Sequence, residues 1–202
     1  MPVTGNNSEA SAHAGAVVDT GVDAGANVSA DVLERAAQVK LMIFDVDGVL
    51  TDGGLYYGDE GELFKRFNVL DGAGIKLLQR FGIDTAIITA RQSEIVNQRA
   101  AGLGITHVYQ GAHDKRAALE KLAAKLELST TQCGYIGDDL IDLPILIRVG
   151  FAASVANCHP EVRPRVHYVA RHGGGHGAVR EICDLILRAQ GHYEAALMSY
   201  LA

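Results

Sequence analysis

The sequence predicts an α/β protein: a doubly wound parallel sheet with one β-hairpin inserted after its first strand. Three observations carry that expectation. Short apolar runs recur along the chain, and each is followed by a segment with helical spacing, which is the pattern of βα units with right-handed crossovers. The first run, Leu41 to Phe44 in LMIFDVDGVLTDGG, is apolar at every position, as suits a strand buried on both faces. Two aromatic-bearing runs around a Gly-containing turn, LYYG and ELFKRFNV, interrupt the alternation directly after it.

Composition bounds the answer. A chain of 202 residues with 48% hydrophobic content holds one full-sized domain with a single core, and no second domain of comparable size is expected. Its 18 basic and 24 acidic residues give a formal charge of -6, which argues against a nucleic-acid backbone binder. An anionic ligand must therefore be met by local basic groups. Cys133, Cys158 and Cys183 lie far apart without CxxC spacing and read as reduced thiols with no chemical role. No apolar run approaches the length of a membrane span, and MPVTGNNSEA lacks the basic start and apolar core of a signal peptide. The expectation is a soluble, cytoplasmic protein without a membrane partner.

Residues 1–30 are Ala, Gly, Val, Ser and Asn without period and are expected to form a disordered extension, with the domain over residues 31–190 and a tail over 191–202. Ser29 to Gln38 has an N-cap and helical spacing, predicting one short helix before the first strand. The hairpin can act as a flap, as an oligomer surface, or as cover for the domain's own edge through Tyr56, Tyr57, Phe64 and Phe67. Asp71 is expected to cap a helix from Gly72 to about Arg80. Strands are then expected over 84–89, 107–110, 133–138, 151–155 and 166–170. Helices are expected over 93–101, 114–127, from 138 to Arg148, and over 178–190.

A parallel sheet collects whatever follows its strands along one edge. That edge would hold Asp45 and Asp47, Thr89 with Arg91, Lys115 at a helix start, and Asp138, Asp139 and Asp142. A solvated turn is the alternative to site chemistry for Asp45 and Asp47, while Thr89 taken singly reads as a β-branched strand end, Lys115 as a solvated helix residue and GDD as a helix cap. Together, at successive strand ends, they are what metal-assisted phosphoryl transfer requires. Hard carboxylate oxygens without His or Cys point to Mg²⁺, and Thr89 and Lys115 can bind the transferring phosphoryl oxygens.

DVDGVLTDG at Asp45 to Gly53, the ITAR segment, Lys115 in GAHDKRAAL and GDDLIDLP at Gly137 to Pro144 resemble the four motifs of haloacid dehalogenase-like (HAD) phosphatases. The resemblance runs from about Val39 to Gln190. The hairpin in place of a cap domain and the ending GGGHGAVREICDLIL resemble the small cap-less group that acts on sugar acid phosphates. It implies a HAD-like, Rossmann-type fold and a phosphoric monoester hydrolase using Mg²⁺. Asp45 would be the nucleophile that forms an aspartyl-phosphate, and Asp47 the acid and then the base. Mg²⁺ would be held by the Asp45 carboxylate, the Asp47 carbonyl and Asp138, and Asp142 would orient Lys115. It further implies substrate contacts from Asp47, Asn68, Val69, Leu70, Asp71, Gly72, Lys76, Arg91, Arg99 and Lys115, in a homotetramer with the active site near a subunit interface.

Arg91 and Arg99 lie eight positions apart, two helical turns, so they could share one face. Lys76 stands where the group's pattern has arginine, and His176 occupies a position often held by arginine, which bears on specificity alone. Arg91, where an acid would mark a nine-carbon sialic acid-like 9-phosphate, favours an octulosonate 8-phosphate from lipopolysaccharide precursor synthesis. A phospho-accepting receiver module also arranges Asp, Thr and Lys at strand ends. It has no use for an acid at Asp47, and its paired acids precede the acceptor strand. An inactive scaffold would keep the fold, but every expected catalytic residue type is present.

Overall fold

β1 spans Leu41–Phe44, and all four of its side chains are fully buried. In the computed structural model, which describes residues 28–201, this strand lies inside a six-stranded parallel sheet. β4 (Asp84–Ile88) pairs along one side with Leu41 opposite Asp84, and β6 (Cys133–Ile136) along the other with Leu41 opposite Cys133. β5 (His107–Tyr109) continues the sheet beyond β4, while β7 (Phe151–Ser154) and β8 (Tyr168–Val169) continue it beyond β6. In chain order the sheet strands run 3-2-1-4-5-6, so the winding reverses between β1 and β6. In doubly wound sheets the ligand crevice opens at that reversal, outside the carboxyl ends.

The helices are α1 (Ala30–Ala37), α2 (Val69–Arg80), α3 (Glu94–Leu103), α4 (Lys115–Lys125), α5 (Leu143–Leu146), α6 (Ala178–Ala189) and α7 (Tyr193–Met198). α1 and α2 each pack on α6, and α4 packs on α5. α6 is amphipathic and turns Val179, Ile182, Leu185, Ile186 and Leu187 into the core. Each such side chain contributes about 1.5 to 3 kcal/mol by leaving water. No helix among the described residues is long and apolar enough to cross a membrane.

The hairpin is a separate antiparallel pair, β2 (Tyr56–Gly58) and β3 (Gly61–Phe64), with Tyr56 stacked on Phe64 at 4.3 Å between ring centroids. β3 stops at Phe64, so Lys65 to Asn68, expected to continue the strand, instead descend toward α2.

Other expectations need correction. α2 begins at Val69 under Asn68, whose Oδ1 accepts from the Leu70 amide at 2.8 Å, and not at Gly72 under Asp71. Asp71 is buried and its Oδ1 accepts from the Arg180 amide of α6 at 2.8 Å. Gly177 caps α6 without a side chain to offer, so a carboxylate from another helix meets its unpaired N–H groups and its positive end. The single helix expected from Asp138 to Arg148 is a 3-10 turn, Leu140–Asp142, followed by the short α5, in which Pro144 removes a backbone donor. β8 is shorter than expected, although Ala170 N still donates to Ser154 O at 2.8 Å beyond it. Residues 191–202 are not simply a tail: α7 buries Ala196, His192 stacks on Phe81, and the Arg188 guanidinium lies 3.4 Å over the Tyr193 ring. The extension expected before residue 28 lies outside the described residues.

Candidate active site

At the reversal, Asp45 follows β1, Thr89 follows β4, Lys115 opens α4 and Asp138 follows β6. A lysine at a helix N-terminus opposes the helix dipole, yet Lys115 is only 2% exposed. Its Nζ lies 2.8 Å from Asp45 Oδ2 and 2.6 Å from Asp142 Oδ1, and donates to the Tyr135 hydroxyl at 3.1 Å. Burial works against the ammonium, but Asp45 and Asp142 outweigh it and hold the lysine above its ordinary pKa.

Asp142 is fully buried and has both oxygens engaged. Oδ1 accepts from Lys115 and, at 2.6 Å, from Tyr135; Oδ2 accepts from the amides of Asp138 and Asp139 at 2.9 and 3.1 Å. It therefore ties Lys115 to the loop after β6.

Asp45, Asp138 and Asp142 each offer an oxygen within 4.8 Å of the others, with Lys115 as the one ammonium bonded among them. Burial, reinforced by the neighbouring carboxylates, pushes Asp45 up to about 6 and Asp138 up to about 7. Asp138 Oδ1 is buried without a hydrogen-bond partner. Three carboxylates against one ammonium, with an orphaned oxygen among them, fit a divalent cation bound by hard oxygens. Both Asp142 oxygens are engaged, and Asp45 accepts from the Val46 amide at 2.8 Å and lies 2.8 Å from Lys115, so Asp138 Oδ1 is the oxygen left without a partner. Gly48, at φ +87°, gives this centre its room: a Cβ there would stand 2.1 Å from Asp138 Oδ2.

Asp47 sits apart from the carboxylate cluster. Its Oδ1 accepts from Lys65 Nζ at 2.5 Å and its Oδ2 lies 3.7 Å from Arg91 Nε. Lys65 is buried between Asp47 and Glu62, which lies 2.9 Å away, and those two acids hold it above its ordinary pKa against the effect of burial. Arg91 also donates to Tyr57 Oη at 2.8 Å and Glu62 at 3.3 Å, and Ser93 Oγ donates to Glu62 at 2.7 Å. Lys65, Glu62 and Tyr57 are the residues sequence reasoning missed. A lysine in a strand-edge hairpin signals solvent, and only the descent after Phe64 turns it inward.

Thr89 is buried, with its amide donating to Tyr109 O at 2.9 Å. Of the substrate set, Asn68 both caps α2 and donates to Gly175 O at 3.4 Å, while Val69 and Leu70 are exposed in its first turn. Arg99 Nη2 donates to the Asn68 carbonyl at 3.2 Å, with its guanidinium over Phe67 and above Gly72. Arg91 precedes α3, so it does not share a helix face with Arg99 as expected. Lys76 is exposed and makes no hydrogen bond or ion pair among the described residues, and Asp71 faces α6. His176 Nδ1 donates to Gly174 O at 2.7 Å, which leaves Nε2 to accept from Arg66 at 3.1 Å.

Gly174 lies against the loop after β1. A Cβ there would fall 1.7 Å from Gly48 O, and the adjoining Gly175 amide donates to Val49 O at 2.9 Å. The glycine-rich segment thus braces the loop carrying Asp45 and Asp47.

The geometry can be set beside known proteins. Residues 86–182 match the model of the haloacid dehalogenase-like hydrolase family. The chain is 52% identical over 169 residues to the 3-deoxy-D-manno-octulosonate 8-phosphate phosphatase KdsC of Yersinia pestis, a match covering 84% of this chain and 90% of that protein. The Moraxella catarrhalis 3-deoxy-D-manno-octulosonate 8-phosphate phosphatase, solved in complex with magnesium ion, phosphate ion and a KDO molecule, superposes with a TM-score of 0.82. It is 44% identical, over 84% of this chain and 98% of that one. The cobalt-bound Haemophilus influenzae deoxy-D-mannose-octulosonate 8-phosphate phosphatase gives 0.80 at 39% identity, over 83% and 99%. With these likenesses spanning nearly the whole of each relative, and with a carboxylate centre suited to a divalent cation, the chain belongs to the 3-deoxy-D-manno-octulosonate 8-phosphate phosphatase family of haloacid dehalogenase-like hydrolases.

Proposed function

We propose that the protein is a Mg²⁺-dependent phosphatase that hydrolyses 3-deoxy-D-manno-octulosonate 8-phosphate (KDO 8-phosphate) to the free sugar acid and phosphate. The observation that carries the reading is the cluster of buried Asp45, Asp142 and Lys115 with half-buried Asp138 at the sheet reversal, in a chain half identical to enzymes of that name.

Asp45 Oδ attacks phosphorus, the P–O bond to the sugar breaks, and the Asp47 carboxyl gives its proton to the departing oxygen. Water then attacks the aspartyl-phosphate and passes its proton to the Asp47 carboxylate, and release of phosphate restores Asp45. Lys115, held by Asp142, fixes Asp45 and stabilises charge on the phosphoryl oxygens, to which the Thr89 hydroxyl donates. The carboxylates of Asp45 and Asp138 and the carbonyl of Asp47 would hold Mg²⁺, which would neutralise the charge gathered there. Asn68 to Gly72 with Arg91 and Arg99 form the sugar acid side; Lys76 takes part only if a neighbouring subunit brings the substrate to it.

The same reading places the enzyme in the cytoplasm as a homotetramer assembled through the hairpin. Tyr57, Leu63 and Phe64 there are at least half exposed, an apolar surface suited to a second copy. Steady-state phosphate release with Mg²⁺ from KDO 8-phosphate, a nine-carbon sialic acid-like 9-phosphate and simple esters tests the function, with the octulosonate ester expected to be preferred. Preference for the nine-carbon ester would overturn the substrate assignment. Light scattering showing a fully active monomer would overturn the assembly.

A further inference from the structure

The geometry points to Lys65 as a positioning residue for Asp47, an inference that rests on reading Asp47 as the acid of a phosphatase. Asp47 stands in the loop after β1, and Lys65 is its one hydrogen-bond partner among the described residues; Arg91, at 3.7 Å, is an ion-pair neighbour only. The Lys65 side chain is 2% exposed, whereas a lysine beside a small hairpin ordinarily extends its ammonium into water. A buried ammonium is costly unless paired, so its inward course follows from what it meets there.

A continuous chain of contacts holds it. The backbone of Ser93 is pinned by Gln110, whose Oε1 accepts from the Ser93 amide at 2.7 Å and whose Nε2 donates to its carbonyl at 3.1 Å. Ser93 Oγ donates to Glu62 Oε2 at 2.7 Å, Glu62 Oε1 lies 2.9 Å from Lys65 Nζ, and Lys65 reaches Asp47 Oδ1. The loop after β4 thereby fixes, through the hairpin, one oxygen of the acid on the loop after β1. Because Oδ1 is taken, Oδ2 is the oxygen left to exchange a proton with the ester oxygen. Proton transfer is sensitive to such placement: a misplacement of about 1 Å costs about a hundredfold.

The test compares Lys65→Met and Lys65→Arg with the parent enzyme, with Mg²⁺, on KDO 8-phosphate and on p-nitrophenyl phosphate, whose leaving group needs no proton. Lys65→Met should lower kcat on the sugar ester about ten- to a hundredfold with KM changed less than about threefold, and cost the aryl ester much less. Lys65→Arg should recover most of the loss. On an Asp47→Asn background, adding Lys65→Met should cost nothing further. Equal losses on both esters, an effect confined to KM, or additive losses in the double variant would overturn the assignment. Lys65→Gln, which removes the ammonium but keeps a polar side chain, gives the same comparison where Lys65→Met does not fold. Failure of the substrate reading would appear in the parent enzyme, and failure of the Lys65 role only in the ratio between variant and parent.

Discussion

Asp142→Asn is the sharpest perturbation of this site, because it changes almost no volume at a residue with no exposed surface. The amide can keep its oxygen toward the amides of Asp138 and Asp139, and then its NH₂ faces the Lys115 ammonium and the Tyr135 hydroxyl where Oδ1 had accepted both. Turned the other way, it opposes two backbone donors. Removing one partner of a buried ion pair costs about 3 to 5 kcal/mol. Asp45 still lies 2.8 Å from Lys115, so the lower end applies, about 3 kcal/mol. For a chain of 202 residues, that lowers the unfolding midpoint by about 6 to 12 °C. Calorimetry with and without Mg²⁺, alongside phosphate release, measures both consequences: a lower midpoint and a kcat reduced by at least about tenfold as Lys115 loses its orientation. A midpoint within about 2 °C of the parent would refute the view that Asp142 organises the site through charge.

Asp45→Asn should abolish phosphate release while leaving the midpoint unchanged or higher, since it removes a carboxylate that burial disfavours and leaves Lys115 its bond to Asp142. Mg²⁺ affinity, measured by calorimetric titration from pH 5 to 8, should rise with pH. Protons compete for Asp45 below about 6 and for Asp138 below about 7, so the curve should steepen below pH 6 and level off above 7. An affinity independent of pH over this range would refute the raised pKa values of Asp45 and Asp138. Gly174→Ala should destabilise by about 1 to 3 kcal/mol and depress kcat, because its Cβ would press on the Gly48 carbonyl and shift the catalytic loop; an unchanged midpoint by thermal denaturation counts against the bracing role.

The strands were legible because they are short apolar runs closed by polar or glycine residues, and the residues at their ends could be read as one site once the sheet was taken as parallel. β1 and β6 carry that signal most clearly, and Asp45, Lys115 and Asp138 lie in one cluster, while Thr89 ends the adjoining β4. What failed to show was tertiary. FNVLDG contains two residues able to cap a helix, and the choice of Asn68 over Asp71 depends on Gly177, more than a hundred positions away, needing an acid. The helix expected through Asp142 is broken because that side chain turns inward to bind two amides. Lys65 was invisible for a related reason: its burial depends on where the chain descends after Phe64, which no local period records.

The order of strands in the sheet has a consequence for how the enzyme comes into being. β1 is the first sheet strand to be synthesised, yet its two neighbours are β4 and β6, and the loop beyond it is braced by Gly174 and Gly175, near the other end of the chain. Such sequence-distant pairings are slow to form, since loop closure must precede the contacts that reward it. Until residues past 175 are available, the loop carrying Asp45 lacks its brace, and Asp45 and Asp138 are held near each other only by their own strands. Activity should therefore emerge late and all at once in refolding, after most helical signal has returned, because Asp45 lies near the start of the fold and the segment that braces its loop lies near the end.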